Sequence, residues 1–346
     1  MESSISDPHR PLLRAVASST RPLYQLLKSL SFTTKIHVDV SEGGIRFSAD
    51  NNRVMSGVAH WDKNLFTSYT TEFPLPAHRD DANSDSDDAE DEVQVASFQI
   101  SLPALLETLQ IFGAADAATR QARADVDPYR SNVKNYHSNA FSNQTLGMTG
   151  TCSISYEQEG GPFSVVLEEA GVKTTCDLTT YVDEAPEDIP WDVGDLSFKI
   201  ITQARWLLDA LAEIAPTTPD KLTIVVSRRE PYVRLTSAGG SLGTSTVDFA
   251  KGKDLFETFS VRERWIQTFK FDTIKAATEA MRIASKVSLR GDRQGVLNMQ
   301  LMVEVEGAGN NYLDFRFVPY AVHEDDEEDE GEGEEGAGGE EMDEDF

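Results

Sequence analysis

Carboxylates are the most abundant chemically active side chains in this 346-residue chain, in which 59 residues are Asp or Glu. Two-metal phosphoryl transfer needs several carboxylates that converge on one cleft, typically an Asp-x-Glu pair on a strand with more distant acids. The acids on predicted strands occur singly, at Asp39, Asp50, Asp248 and Asp314. The six histidines are dispersed and show no metal-ligand spacing with cysteine. The sequence therefore predicts no catalytic residue, no metal site and no cofactor.

Most of the formal net charge of −28 lies in two low-complexity segments. His323–Phe346 contains 15 acidic residues and no Lys or Arg, and Arg79–Glu92 contains eight acidic residues. Such segments cannot bury a core, so we expect a disordered acidic tail over 323–346 and an insert over about 77–93. A second insert is expected over about 114–146, where no periodicity persists. The rest of the chain is mildly acidic, so its composition does not exclude a nucleic-acid ligand.

A pattern of one strand, one helix and three strands recurs along the chain. Gly147–Val182 is typical of three short strands with period-two alternation, and Phe98–Gly113 before it is typical of a strand and a helix. Helices are predicted at Arg21–Leu30, Leu102–Phe112, Ala204–Ile214 and Thr273–Ala284. Four such units predict an α+β fold with two similar domains, over residues 1–182 and 196–322, and an extended connector at 183–195.

Five segments carry a resemblance to a known family. They are GTCSISYEQEGGPFSVVLEEAGVKTTCDLTTY, GGIRFSADNNRVMSGVAHW, EPYVRLTSAGGSLGTSTVDFAKGKDLFETF, KVSLRGDRQGVLNMQLMVE and the late FRFVPY. The chain resembles the sliding clamps, and most closely the Rad-one-type subunit of the checkpoint clamp, the nine-one-one ring. The likeness covers nearly all of residues 12–322. It implies the PCNA-like DNA-clamp fold, in which helices line the inner face and antiparallel sheets lie outside.

The resemblance also implies a function. It implies a non-catalytic subunit of a heterotrimeric ring that encircles double-stranded DNA, without sequence preference, at damage sites. The implied partners are Rad-nine-type and Hus-one-type clamp subunits and a checkpoint clamp loader. In this role the protein would act in the nucleus, support checkpoint signalling through the ATR-type kinase and recruit repair enzymes. No membrane contact is expected.

In a clamp, the outward faces of the helices line the DNA channel. The cations on or beside these faces are Arg21, Lys28, Arg205, Lys270, Lys275, Arg282 and Lys286. Scattered cations of this kind suit sequence-independent contact with phosphates. Each of them alone could also be an ordinary surface cation, so the prediction of a DNA channel rests on the set.

Two further surfaces follow from the resemblance. Ring closure should use unpaired edge strands, for which the candidates are Gly171–Val182 and Leu242–Phe249. The interface residues on them are predicted to be Val172, Thr174, Cys176, Leu178, Leu242, Thr244 and Thr246. The connector should cover a pocket for partner peptides, formed by Trp191, its apolar anchor, with Phe317, Val318, Pro319 and Tyr320.

Three other functions remain open at this point. A metal-dependent 3'-5' exonuclease, an activity discussed for this family, would need the converging carboxylates that the strand pattern lacks. An acidic binder similar to a histone chaperone would fit the tail alone, and truncation at 323 would abolish its binding to basic proteins. A self-trimerising replication clamp would fit the fold, although the uneven charge of the four helices favours a ring of different subunits.

Overall fold

The computed structural model describes residues 11–73, 96–111, 151–169, 171–184, 187–250 and 255–321. The inserts predicted at about 77–93 and 114–146 and the tail at 323–346 lie outside the described residues. Within these ranges the chain is a mixed protein of antiparallel sheets and a few short helices, which agrees with the α+β prediction. None of the helices described here is long and apolar enough to cross a membrane.

The described strands, in chain order, are β1 Leu13–Ala17, β2 Lys35–Ser41, β3 Gly44–Asn51, β4 Met55–Asp62, β5 Ser68–Thr71, β6 Ala96–Ser101, β7 Thr151–Tyr156, β8 Phe163–Glu169, β9 Val172–Leu178, β10 Leu196–Gln203, β11 Lys221–Val226, β12 Val233–Ala238, β13 Thr246–Phe249, β14 Phe256–Val261, β15 Trp265–Lys270, β16 Lys286–Asp292, β17 Leu297–Val305 and β18 Gly309–Phe317. The described α-helices are α1 Arg21–Lys28, α2 Leu102–Gln110, α3 Ala204–Ile214, α4 Phe271–Ala276 and α5 Thr278–Ile283.

The strands form three antiparallel sheets. Their orders are β5-β1-β7-β8-β9, β14-β10-β16-β17-β18-β4-β3-β2-β6 and β13-β12-β11-β15. The nine-stranded sheet joins strands from both ends of the chain through the pairing of β18 with β4, where Leu313 lies opposite Ala59. This junction is tightly packed, because a Cβ atom on Gly57 of β4 would lie 2.8 Å from Leu30 Cδ2 and 3.0 Å from the Phe315 ring.

The order of strands repeats along the chain. The order β5-β1-β7-β8-β9 is matched by β14-β10-β16-β17-β18, and the order β6-β2-β3-β4 is matched by β15-β11-β12-β13. By this match β9 corresponds to β18, and β13 corresponds to β4. The strands β9 and β13 lie at sheet edges, whereas their equivalents β18 and β4 pair with each other.

The helices lie side by side in the order α2, α1, α5, α3. On α1, the residues Leu23, Leu26 and Leu27 are buried, and the Trp61 indole N–H donates a hydrogen bond of 3.2 Å to the Leu23 carbonyl. The apolar stripe of the helix therefore packs on the sheet, while Lys28 on the opposite face is exposed.

The helix predicted over Thr273–Ala284 is interrupted, and α4 and α5 meet at Ala277. The Thr278 hydroxyl donates a 2.7 Å hydrogen bond to the Lys275 carbonyl, and the Ala277 N–H binds Ile274 three residues back. These local bonds compete with the regular helical pattern, which explains the break.

The sequence predicts a strand over Leu65–Phe73, whereas the strand found there, β5, spans only Ser68–Thr71. Lys63–Leu65 forms a 3-10 turn, in which the Asp62 carboxylate accepts a hydrogen bond of 2.8 Å from the Asn64 N–H. The turn removes Leu65 from the predicted strand, because a residue that belongs to the turn cannot also be extended.

Candidate functional site

The exposed side of the helix row carries balanced charge. Its accessible basic residues are Arg21, Lys28, Arg205, Lys275 and Arg282, and its accessible acidic residues are Glu107, Asp209, Glu213, Asp272 and Glu279. Five of the seven predicted channel cations are thus accessible on helices, whereas Lys270 ends β15 and Lys286 begins β16. Lys275 and Asp272 lie on α4, which leads directly into α5. The five accessible acids balance the five helix cations, so the helices carry no net charge on their exposed side.

Two of the predicted cations share one acid across neighbouring helices. Lys28 Nζ on α1 lies 2.9 Å from Glu279 Oε2 on α5, and Arg282 Nε lies 3.2 Å from Glu279 Oε1. Both cations are largely exposed, so each pair contributes little to stability. The Lys28–Glu279 pair nevertheless links helices from the two ends of the chain.

Two more predicted cations are paired and three are not. Arg205 Nε lies 3.4 Å from Asp209 Oδ2, and Lys286 Nζ lies 2.7 Å from Glu257 Oε2, which raises the pKa of Lys286. The exposed residues Arg21, Lys270 and Lys275 make no ion pair within the described part of the chain. These three can contact an external anion without first breaking an ion pair.

The predicted interface residues lie at two sheet edges or beside them. On β9, the side chain of Val172 is 56% exposed, while Thr174, Cys176 and Leu178 are half-buried. On the other edge, β13 begins only at Thr246. The predicted residues Leu242 and Thr244 therefore precede the strand, and Leu242 is 74% exposed.

The edge strand β13 is held in place by an arginine. Arg234 on β12 donates to both carboxylate oxygens of Asp248 on β13, at 2.7 and 2.8 Å. This bidentate bond lowers the pKa of Asp248 and fixes the strand from one side only. The other side of β13 faces no strand in the described chain.

The connector crosses the nine-stranded sheet. Its middle is attached by Arg316 on β18, whose Nη1 donates a hydrogen bond of 2.9 Å to the Ile189 carbonyl, and by an ion pair between Arg53 and Glu187. Its end is attached by Asp195, whose carboxylate lies 3.4 Å from both Arg262 and Arg293. The connector is thus bound to the sheet by polar contacts along its length.

A buried carboxylate supports the end of the connector. Asp292, the last residue of β16, is fully buried and accepts a 2.9 Å hydrogen bond from the Val296 N–H. Burial raises the pKa of Asp292, although backbone bonds from Val296 and from Asp192 of the connector oppose this shift. No sequence pattern indicates that this residue is buried, because Asp is usually exposed.

The residues predicted for the peptide pocket are distributed differently from the prediction. Phe317 is fully buried in the core, so it cannot line an open pocket, and Tyr320 is tied to β15 by a hydrogen bond of 2.7 Å from its N–H to the Thr268 carbonyl. Trp191, Val318 and Pro319 are partly exposed. The buried side chain of the connector is Ile189, which replaces Trp191 as its apolar anchor.

A small apolar cavity of about 30 Å³ lies in the core near α3 and α4. Phe198, Leu222, Ile274 and Met299 are among its lining residues, and Thr202 is its one polar lining residue. A substrate site needs several converging polar groups, so this cavity is a feature of core packing.

The four strand-borne acids are engaged separately. Asp39 binds His37 and Ser97, Asp50 accepts a hydrogen bond from the Arg53 N–H, and Asp248 binds Arg234. Asp314 accepts a hydrogen bond of 2.9 Å from Asn298. Across the described ranges, no group of three or more His, Cys, Asp or Glu residues is arranged to hold a metal ion.

Comparison with known proteins places these features in a family. The profile of the family described as Repair protein Rad1/Rec1/Rad17 matches residues 12–303. The DNA damage checkpoint control protein rad1 of Schizosaccharomyces pombe is 27% identical, over 92% of this chain and 89% of the relative. The Cell cycle checkpoint protein RAD1 of Mus musculus is 27% identical, over 89% of this chain and 92% of the relative. The protein of the same name from Homo sapiens is 26% identical, over 89% of this chain and 91% of the relative. Because the profile covers most of the sequence, the chain belongs to the Rad1/Rec1/Rad17 family of repair proteins.

Proposed function

We propose that the chain is the Rad-one-type subunit of a DNA-damage checkpoint clamp. The relatives are named as checkpoint control and cell cycle checkpoint proteins, which supports a signalling role in the nucleus rather than an enzymatic one. One observation supports a ring above all. In the described sheets, β9 and β13 are edge strands, whereas the equivalent strands β18 and β4 pair with each other.

The repeated strand order supports two clamp domains, over residues 1–182 and 196–322, with the connector at 183–195 between them. Within the chain, the two domains join when β18 of the second binds β4 of the first. A neighbouring subunit can use the same geometry when its equivalent of β13 binds β9, or its equivalent of β9 binds β13. Such a contact is head-to-tail, and head-to-tail contacts generate rings when the rotation closes.

Two different edges fit two different neighbours. The side chains offered by β9 are Val172, Thr174, Cys176 and Leu178, whereas β13 is short and is preceded by the exposed Leu242. We propose that Rad-nine-type and Hus-one-type subunits occupy these edges and that a checkpoint clamp loader opens the ring.

The row of helices is the proposed DNA-facing surface. The unpaired cations Arg21, Lys270 and Lys275 would contact phosphates without base recognition. The accessible acids balance the helix cations, so the affinity for DNA should be low and only weakly dependent on salt. A closed ring tolerates such low affinity, because it leaves DNA only by opening or by sliding off an end.

Loading of a reconstituted three-subunit complex onto DNA tests this function. We expect the loaded complex to remain on circular DNA in high salt and to leave after the circle is cut. Equal loss from circular and linear DNA would contradict encirclement. Failure of the chain to co-purify with the two partners would contradict the subunit assignment itself.

Charge variants test the helix row within the same assay. The triple substitution Arg21→Ala, Lys270→Ala and Lys275→Ala should reduce loading several-fold at low salt, because it removes the three unpaired cations. Lys199→Ala is the matched control, since Lys199 is an exposed cation on β10. An equal effect of both variants would contradict a specific role of the helix row.

The absence of catalysis is a separate part of the proposal. The acids Asp39, Asp50, Asp248 and Asp314 are engaged in separate contacts rather than in one cleft. We expect the purified chain with Mg²⁺ to leave 3'-labelled DNA intact. Degradation that disappears when one of these four carboxylates is replaced would establish the exonuclease alternative.

A further inference from the structure

The start of the connector is fastened to the edge strand β6. Tyr181 and Gln99 exchange backbone hydrogen bonds of 2.8 and 3.2 Å, and the Gln99 side chain donates a hydrogen bond of 2.8 Å to the Glu184 carbonyl. The Lys35 ammonium lies 4.8 Å from the centre of the Tyr181 ring. Tyr181 therefore forms an isolated antiparallel bridge with β6, and the Gln99 side chain attaches the chain again at Glu184.

A buried histidine lies beneath this segment. His37 on β2 is 7% exposed, and its Nε2 lies 2.8 Å from Asp39 Oδ1 on the same strand. Its Nδ1 lies 2.5 Å from Oδ1 of Asp183 on the connector. The Nδ1 atom thus lies at ion-pair distance from the Asp183 carboxylate, without the alignment of a regular hydrogen bond. His37 thus links the sheet to the connector.

The chemistry of this arrangement requires a positive ring. An ionised carboxylate only accepts hydrogen bonds, and a neutral imidazole carries one N–H, so it can face only one carboxylate favourably. With both ring nitrogens beside carboxylate oxygens, both nitrogens must carry protons. The geometry is therefore that of an imidazolium held between two carboxylates.

Charged groups reach this site from each element packed on it. On β2 these are Lys35 and Asp39, on β3 Arg46, and on the connector Asp183 and Glu184, while β6 offers the uncharged side chains of Ser97 and Gln99. Burial lowers the pKa of His37, but Asp39 and Asp183 together raise it, and the net result is a raised pKa.

We propose that His37 is a latch that fixes the start of the connector to the sheet while its imidazole is protonated, and that loss of the proton releases the connector. Asp39 keeps a 2.6 Å hydrogen bond from the Ser97 hydroxyl after deprotonation. Asp183 has its charged contact with His37 alone among the described ion pairs. The connector side of the latch is therefore the side that opens.

The direction of the pH effect follows from the sign of the shift. Because the pKa of His37 is raised in the fold, its contribution is complete below 6.5 and is lost as the pH rises through the raised value. The pKa of Asp39 is lowered, so its own contribution is lost only when the pH falls below 3.8. The contact between His37 and Asp183 should thus be lost when the pH rises above the pKa of His37. The latch concerns the connector itself and does not depend on ring formation.

Hydrogen exchange of the full chain, corrected for the intrinsic effect of pH, tests the latch. In the unmodified protein, exchange at residues 181–184 should rise about tenfold between pH 6 and the alkaline side of the His37 titration. His37→Gln should exchange rapidly at both pH values, and Asp183→Asn should do the same. NMR titration of the imidazole should show a lower His37 pKa in Asp183→Asn.

His60→Gln is the matched control, since His60 is a half-buried histidine of the same sheet, on β4, and burial lowers its pKa. It should behave as the unmodified protein does. If His37→Gln fails to fold, the result for Asp183→Asn tests the proposal by itself. Asp183 is 33% exposed and lies on the connector, so its replacement should leave the fold intact. Exchange at 181–184 that is unchanged through the His37 titration, or protected in Asp183→Asn, would overturn the proposal.

Discussion

The strands β18 and β9 occupy equivalent positions in their sheets but have different surroundings. On β18, which pairs with β4, the residues Leu313, Phe315 and Phe317 are fully buried. On the edge strand β9, no residue is buried, and the alternating inward positions are Thr174, Cys176 and Leu178. The paired strand therefore carries large apolar side chains, and the edge strand carries smaller and more polar ones.

The same difference separates β4 from β13. Every second residue of β4 is buried, from Met55 to Trp61, whereas β13 has only exposed and half-buried positions. A permanent junction gains stability from each buried apolar side chain. An edge strand that pairs only on assembly is exposed to water in the free chain. A long apolar edge strand would promote aggregation there. The composition of each strand thus reflects whether its own chain covers it.

The largest expected effect concerns the internal junction. Phe315→Ala removes a fully buried ring next to Gly57, and we expect the free energy of unfolding to fall by about 3–5 kcal/mol in urea titrations. Tyr312→Ala on the same strand is the control, because Tyr312 is 49% exposed and should cost less than about 1 kcal/mol. If both variants lowered the free energy of unfolding equally, the side chains at the β18–β4 junction would not form part of the hydrophobic core.

Cysteine labelling compares a core strand with the edge. Burial raises the pKa of the Cys152 thiol on β7 to about 12, whereas Cys176 on β9 is half-buried. In the free chain, iodoacetamide should modify Cys176 about 100-fold faster than Cys152, because the thiolate is the reactive form. Both should react in urea. Assembly with the partner that binds β9 should protect Cys176, and undiminished labelling in the complex would exclude β9 from the interface.

Edge substitutions should weaken assembly without weakening the fold. Val172→Glu and Leu242→Glu each place a charge on an exposed apolar position, and each should weaken binding of one partner about tenfold, or ~1.4 kcal/mol. Binding can be measured by calorimetry with each purified partner. Val193→Glu, on the exposed connector, is the control. Loss of the same partner with both edge variants would contradict a head-to-tail arrangement.

The smallest effect is expected for the ion pair between Lys28 and Glu279, which crosses the internal junction at the helix row. A double-mutant cycle with Lys28→Ala and Glu279→Ala should give a coupling of about 0.2–1 kcal/mol, since both side chains are partly exposed. The coupling should decrease in high salt. A larger coupling that does not respond to salt would show that the helix row is less open to water than the structure indicates.

Local structure was largely predictable from the sequence. The helix predicted at Ala204–Ile214 is confirmed without change. The residues Ser41-Glu42-Gly43-Gly44 predict a hairpin turn, and a hairpin is found there between β2 and β3. Periodicity reports which face of an element is buried, and this information is local. The break at Ala277 depends on where single hydroxyl groups find their acceptors, which periodicity does not report.

The site was less predictable than the fold. The pairing of β18 with β4 joins residues more than 250 positions apart, and no local pattern specifies it. Helical spacing predicts that Lys28, Arg205 and Arg282 lie on exposed faces, but it does not report which acids lie within ion-pair distance of them. The latch around His37 depends on a contact with a distant loop residue, so neither strand pattern nor composition indicates it.

The continuous hydrogen-bonded sheet through β18 and β4 has a mechanical consequence. Bending the molecule between its two halves would break a row of backbone bonds and expose Phe315 and Phe317, so each chain should move as one stiff arc. In the proposed ring, separating two neighbouring chains would therefore disrupt less structure than bending one of them. A clamp loader acting on the proposed ring would separate neighbouring subunits, so DNA would enter at the contact made by β9 or by β13.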